Sequence, residues 1–301
     1  MRDLELNMVF DPSEVLRPSS FQDAVETLDS SDSKIVAGNT SLYSLARKGR
    51  LENIKKLVDI SKLGISYIKE AESQTSEEKK ILVGAGTTFQ EITSSSLING
   101  RPEYAGLKEA LNKSPPQIRN VATIGGSICS AVSFYDLPIV LFALGTTLKF
   151  FSKKEGEHLI TIDSFFQNPA LYGKSLLIEC QFSSSPNSAS SFVKLCRRMS
   201  GYAVAMTAAR IKLDRTSREI DDIRLVIGAM TKTPQRLNQV EEELRHKEPS
   251  IETITRMCEK SADLVHDIIP SVHASTAYKK RVLPILLREA ITTAVERATE
   301  R

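Results

Sequence analysis

The sequence predicts an α+β protein built as two packed units, on three observations. Its 301 residues exceed one ordinary domain. The first part alternates short β-like runs with helical ones, and past a serine-rich stretch the β-like runs come first and the helical ones after. Strands followed by helices place helices against one face of an antiparallel sheet.

In chain order, "RPSSFQDAVETLDS" opens with a capping box, Ser19 with Gln22 three residues on, and sets Phe21, Ala24, Val25 and Leu28 on one helical face. "KIVAG" reads as a buried strand ending at Gly38, and "TSLYSLARKG" as a helix stopped by Gly49. "LVDIS" and "GISYIKE" are the next strands. "KKILVGAGTTFQEI" mimics a dinucleotide phosphate turn, but the third glycine of that fingerprint falls on Phe89 and no acidic residue closes a second strand where one is required. Thr88 and Glu91 instead make a helix cap. "LPIVLFALG" is an apolar helix ended by Gly145, "TTLKFFSKKEGEHLITI" a hairpin turning at Glu155-Gly156, and "SLLIECQF" a strand.

The serine-rich stretch, residues 183–191, is expected to be a linker between a domain over 1–182, in two α/β parts of about 1–60 and 61–182, and a domain over 192–301. The second domain offers "FVKLCRR", "AVAMTAARIKL" and "IRLVIGAM" as a three-stranded antiparallel sheet. Helices follow at Pro234 to His246, Ile251 to Val265 and Ser275 to Thr299, the last interrupted by Pro284. Val282, Ile285, Leu286 and Ile291 give that last helix an apolar side, most often simply packed on its own sheet.

Composition excludes several functions. Forty Lys and Arg against 37 Asp and Glu leave a net charge of +3 without a long basic run, too balanced for nucleic acid as the main partner. "MRDLELNMVFDPSEV" has acids where a signal peptide needs an apolar core, and no stretch approaches the roughly 20 apolar residues of a membrane span, so a cytoplasmic chain is expected. Cys129, Cys180, Cys196 and Cys258 form no CxxC or CxxxC pair, so neither a disulfide framework nor a zinc or iron–sulfur site of this chain's own is expected.

"IRNVATIGGSICSA", residues 118–131, places two of the chain's fourteen glycines together between Thr and Ser. Paired glycines more often make a tight turn, but bare successive N–H groups also suit a pyrophosphate, with Thr123 and Ser127 as hydroxyls at its rim. "AGNTS", residues 37–41, is a second small polar turn that leaves a strand and opens a helix. Two such turns would clamp two phosphates if they meet.

"PQIRNVATIGGSI" followed by "DLPIVLFALGTTLKF" closely resembles the flavin-binding subunit or domain of the molybdenum hydroxylases, the family of xanthine, carbon monoxide and nicotinate dehydrogenases. The likeness extends through "RPSSFQDAVETL", "VAGNTSL", "LVDISKLGI" and "VGAGTTFQEI", then "KLCRRMSGYAVA", "IGAMTKTPQRL" and "HASTAYKKRVLPILLREAI", nearly the whole chain. It implies a vanillyl-alcohol-oxidase-type FAD-binding fold followed by the carbon monoxide dehydrogenase flavoprotein-type C-terminal domain.

By motif match, the resemblance implies that Ala37, Gly38, Asn39, Thr40 and Ser41 form one pyrophosphate turn, and Thr123, Gly125, Gly126 and Ser127 the other. Asp136 matches an acidic residue expected at the cofactor's ribose or ribityl hydroxyls, though a helix cap explains it as well from sequence alone. Leu176 or Leu177 matches the apolar side chain against the isoalloxazine, Lys194 a lysine near the flavin, and Tyr202 a tyrosine packed by the ring. Departures from the family pattern are Gly201, where an acidic residue usually precedes that tyrosine, and Val132, where many relatives carry a serine. No histidine lies in either turn, so FAD is expected to be non-covalent.

The resemblance further implies an electron-transfer oxidoreductase subunit without a catalytic acid or base of its own. A molybdopterin large subunit and a small subunit with [2Fe-2S] clusters would be its partners, and electrons would leave through FAD to NAD+ or another acceptor. The competing readings are a stand-alone flavin reductase of the same broad fold, for which the scattered His158, His246, His266 and His273 supply no acid–base constellation, and a flavin-free scaffold.

Overall fold

The computed structural model describes residues 10–72, 79–185, 187–198 and 201–300. The segment 1–9, which carries most of the stretch weighed against a signal peptide, lies outside them. Among the described residues no helix is long and apolar enough to cross a membrane.

Three sheets organise the chain. The first is parallel, with β1 (Glu14–Leu16), α1 (Phe21–Leu28), β2 (Ser33–Val36), α2 (Thr40–Arg47) and β3 (Lys56–Asp59) in order, and β3 lies between β1 and β2. α1 forms because Ala24, Val25 and Leu28 fall on one buried face; its N-cap is Ser20, accepting from Asp23 N at 3.1 Å, one residue later than the box expected at Ser19. The shift leaves Ser19 to bond the Asp23 carboxylate at 3.0 Å.

β4 (Ile68–Glu72), β5 (Lys79–Gly84), α3 (Phe89–Ser94), α4 (Ala105–Asn112), α5 (Pro116–Arg119), α6 (Ile124–Cys129), α7 (Asp136–Ala143), β6 (Thr147–Ser152), β7 (Gly156–Thr161), α8 (Ile162–Gln167) and β8 (Leu176–Ser184) follow. Their strands make an antiparallel sheet in the order β4-β5-β8-β6-β7. The Thr88–Glu91 capping box opens α3 as expected. α7 is buried along its length from Leu137 to Ala143, and Gly145 ends it at φ 68°.

β9 (Ser188–Cys196), β10 (Ala203–Leu213), β11 (Ile220–Gly228), β12 (Gln235–Arg236), α9 (Asn238–Leu244), α10 (Ile251–Leu264) and α11 (Thr276–Thr299) complete the chain. The last sheet has four strands, β12-β11-β10-β9, where three were expected. Gln235 and Arg236 read as the start of a helix but pair with Ile227 and Val226, and α9 begins only at Asn238. Arg236 is held there by the buried Glu241, which also accepts from Leu225 N at 2.7 Å.

Two further expectations fail for packing reasons. The stretch 183–191 is no loose linker: its serines end β8 and begin β9, and Ser188, Ser190 and Ser191 are buried. Ser190 Oγ accepts from Gly106 N at 3.0 Å and Ser191 Oγ donates to Ala290 O at 2.6 Å, so small hydroxyls are used where α4 and α11 press on one strand. α11 runs unbroken through Pro284, because its buried side from Lys279 through Leu283, Leu287, Ile291 and Ala298 lies on β9 and β10. Leu286 and Ile291 are buried as expected, whereas Ile285 is 55% exposed and points away from that face.

Candidate functional site

Sequence alone could not show that the two small turns meet; the structure brings them together. A Cβ on Gly38 would lie 1.8 Å from Val121 O and 2.9 Å from Ala122 Cα, so the first turn rests directly on the backbone that leads into Thr123. Only glycine permits that approach.

The turns differ in what they offer. Asn39 occupies the N-cap of α2 in the left-handed region, at φ 61°, and its side chain makes no cap bond. The first backbone bond of α2 is Tyr43 N to Asn39 O at 3.1 Å, which leaves the N–H groups of Thr40, Ser41 and Leu42 as the uncapped donors of a helix start. Donors held bare at a positive helix end are an anion site.

At the second turn the same count comes out differently. Ile124 N donates to Thr87 O at 3.0 Å, Gly125 N to Ala85 O at 2.9 Å, Gly126 N to the Thr123 hydroxyl at 3.1 Å and Ser127 N to Thr123 O at 3.0 Å. The glycine pair lies inside the first turn of α6, reached through an isolated bridge between Thr88 and Thr123, not at the end of a strand. Gly125 is required by packing, since its Cβ would meet Ala85 Cβ at 2.7 Å. Gly126 is exposed and its Cβ would meet nothing but the Thr123 hydroxyl, so it keeps the cleft side of α6 bare.

Hydroxyls tie the turns together. Ser41 Oγ is 3.3 Å from Ser130 Oγ and 3.1 Å from the Tyr135 hydroxyl, and Ser130 Oγ donates to Gly126 O at 2.7 Å. Tyr135 continues into an aromatic group: Phe134 meets Tyr135 and Tyr202 edge-on at 5.5 and 4.9 Å, while Tyr135 and Tyr202 lie 6.4 Å apart with planes at 21°. Tyr202 is 62% exposed, so a ring face stands open beside the cleft. Phe134 and Tyr135 were missed in the sequence; two aromatics directly before the acid of the "DLPIVLFALG" helix were the available signal.

Asp136 does not act as a cap. Tyr135 is the N-cap of α7, and the Asp136 carboxylate turns inward to Lys194 Nζ, 2.7 Å from Oδ2, with the two side chains only 12% and 4% exposed. Burial pushes the Asp136 carboxyl up despite Lys194. Its second oxygen, Oδ1, is buried and has no hydrogen-bond partner among the described residues. An orphaned carboxylate oxygen beside a donor-rich cleft fits a ligand hydroxyl. Tyr202 stands beside Asp136's neighbours Phe134 and Tyr135. Leu176 and Leu177 are both buried in β8, paired with Phe151 and Phe150 of β6.

Comparison with known proteins bears on this geometry. The family described as "FAD binding domain in molybdopterin dehydrogenase" matches residues 9–180, and "CO dehydrogenase flavoprotein C-terminal domain" matches 190–294. The chain is 27% identical over 282 residues to the glyceraldehyde dehydrogenase medium chain of Sulfolobus acidocaldarius, covering 91% of this chain and 95% of that one. It is 25% identical over 303 residues to the xanthine dehydrogenase FAD-binding subunit of Escherichia coli O157:H7, covering 96% and 98%. Among solved structures, carbon monoxide dehydrogenase of Hydrogenophaga pseudoflava superposes with a TM-score of 0.85 at 22% identity over 95% of this chain and 98% of that one, a likeness of fold.

Proposed function

Because the chain belongs to the family of FAD-binding domains of molybdopterin dehydrogenases, we propose that it holds FAD in the cleft between the Ala37–Ser41 and Thr123–Ser127 turns and passes electrons onward to NAD+ or another acceptor. The observation that carries the reading is the pairing of an uncapped helix start at Thr40–Leu42 with the orphaned Asp136 Oδ1 across one cleft. Each is a buried or oriented polar group without a protein partner, and FAD presents the two complements, a pyrophosphate and a row of hydroxyls.

On this reading the α2 amides and the Ser41 hydroxyl take the pyrophosphate, and the Gly126 backbone lets it approach α6. The backbone donors of the second turn are already spent, so the α2 turn binds the charge and the α6 turn shapes the space. Asp136 Oδ1 accepts from a ribose or ribityl hydroxyl, and Lys194 holds that side chain in place through Oδ2. Tyr202 offers its open ring to a planar partner. Bound FAD supplies a centre that takes up electrons singly and releases them as a pair. A molybdopterin subunit and a [2Fe-2S] subunit complete the electron path in the proposed assembly, and no side chain here is assigned an acid or base role.

The test is the visible spectrum and released cofactor of the purified full chain, with FAD added back if it is colourless. About one FAD per chain, and no hydroxylation of a purine or aldehyde by the chain alone, is the expected result. A chain that refuses added FAD, or that hydroxylates unaided, refutes the reading.

A further inference from the structure

We propose that Tyr135 is a positioning residue for the bound cofactor: from outside both glycine turns, its hydroxyl anchors Ser41 and so sets the width of the cleft. This rests on the FAD-binding reading above.

The direction of the hydroxyl chain follows from its far end. Ser130 Oγ spends its single proton on Gly126 O at 2.7 Å, so in the 3.3 Å contact with Ser41 it accepts and Ser41 donates. Ser41 has then spent its own proton, so across the 3.1 Å contact the Tyr135 hydroxyl donates to it. The chain runs from Tyr135 through Ser41 and Ser130 to Gly126, joining the start of α7, the first turn of α2 and the cleft side of α6. Tyr135 is braced by Phe134 and by Tyr202, which stands directly before β10.

A phosphate oxygen only accepts. Ser41 serves it by turning its proton away from Ser130, while its lone pairs go on accepting from Tyr135. The two ends of the chain therefore have opposite consequences. Tyr135→Phe removes the anchor and keeps the ring; Ser130→Ala removes the competitor for the Ser41 proton and leaves the anchor.

Full-length chain stripped of FAD is titrated with FAD and followed by flavin fluorescence. Tyr135→Phe is expected to raise the Kd about 3- to 10-fold, the worth of one hydrogen bond. Ser130→Ala is expected to bind FAD as tightly as wild type or more tightly. In the FAD-free chain, amide exchange at Tyr43, whose N–H closes the first turn of α2 on Asn39 O, is expected to quicken in Tyr135→Phe by a similar factor. The melting temperature should fall by only about 2–4 °C, the worth of that one bond, since the ring and its stacking are retained.

An unchanged Kd with unchanged exchange in Tyr135→Phe overturns the assignment, as does a Ser130→Ala variant that binds as weakly as Tyr135→Phe. Wild-type chain that takes up no FAD overturns the FAD reading instead, and the exchange comparison then decides the Tyr135 anchor by itself.

Discussion

Replacing Lys194 with Met removes one charge of a buried pair and keeps a side chain of similar length. The ammonium stands 2.7 Å from Asp136 Oδ2, and with side-chain exposures of 4% and 12% neither group can turn to water. Breaking a buried pair from one side costs about 3–5 kcal/mol, because the remaining charge is left uncompensated. The cost depends on pH in a definite sense. In the wild type, burial already outweighs Lys194 and holds the Asp136 carboxyl above its ordinary value, so the folded chain binds that proton more tightly than the unfolded one. Stability from this residue is thus greatest below the ordinary carboxylate range and falls as pH rises through the folded value. Lys194 is the larger of two cations that hold the carboxyl down, Lys113 being the other, so its loss extends the fall to higher pH. The assay is urea unfolding of FAD-free wild type and variant at pH 8 and near pH 4. The variant should be less stable by about 3 kcal/mol at pH 8 and recover most of the difference in acid, and Asp136→Asn in the same chain should recover most of it at pH 8. A difference that is the same at both pH values, or below about 1 kcal/mol at pH 8, would refute the buried-pair reasoning.

Gly38→Ala places a Cβ against the Val121 carbonyl and should destabilise the chain by about 1–3 kcal/mol and abolish FAD retention, read by thermal unfolding and by cofactor content. Gly125→Ala should cost a similar amount through Ala85 while Gly126→Ala costs less, which a melting comparison of the two variants decides. Ser191→Ala removes a 2.6 Å hydrogen bond to the Ala290 carbonyl of α11 in a buried seam and should lower stability by about 0.5–1.5 kcal/mol in urea, where a true linker serine would be silent. Lys279 is 1% exposed, donates to Ala229 O at 2.6 Å, and is held below the usual lysine range by burial, so stability should rise with pH toward that range; Lys279→Met should flatten the rise in urea midpoints measured between pH 7 and pH 10.

The elements legible in the sequence were those whose cause is local. The Thr88–Glu91 box, the Gly145 stop and the apolar run of α7 each carry their reason within a few residues. What was not legible depends on neighbours far along the chain. Ser188, Ser190 and Ser191 look like part of a tether because small polar residues usually avoid cores. They belong to a buried strand that α4 and α11 approach closely: a Cβ on Gly106 would stand 2.8 Å from Ser191 C, and the Ser190 and Ser191 hydroxyls bond Gly106 N and Ala290 O. β12 was hidden because it is only two residues long and is defined by its pairing with Val226 and Ile227 of β11, with Glu241 holding Arg236. At the site, the motif identified both turns, but their unlike chemistry depends on Ala85 and Thr87 accepting the second turn's amides from another strand's end.

The C-terminal unit is a wall of the site as much as a neighbour of it. The segment from Ser133 to Ile139 carries Asp136, Tyr135 and Phe134, and it is held from that unit at several points. Ala229 N donates to Ser133 O at 2.7 Å, and Ala229 O in turn takes the buried Lys279 ammonium from α11. Gly228 is bare where a Cβ would strike Ile139 at 2.6 Å, which lets α7 settle onto β11. Lys194 of β9 pairs Asp136, and Tyr202 packs on Phe134. Lys194 of β9, Gly228 of β11, and Ala229 and Tyr202 beside the strand ends all meet the stretch that carries the candidate cofactor ligands, and α11 reaches it through Ala229. Positive φ at Ala229, 60°, marks where the chain bends sharply to make this join. The candidate site is therefore framed by residues of both units.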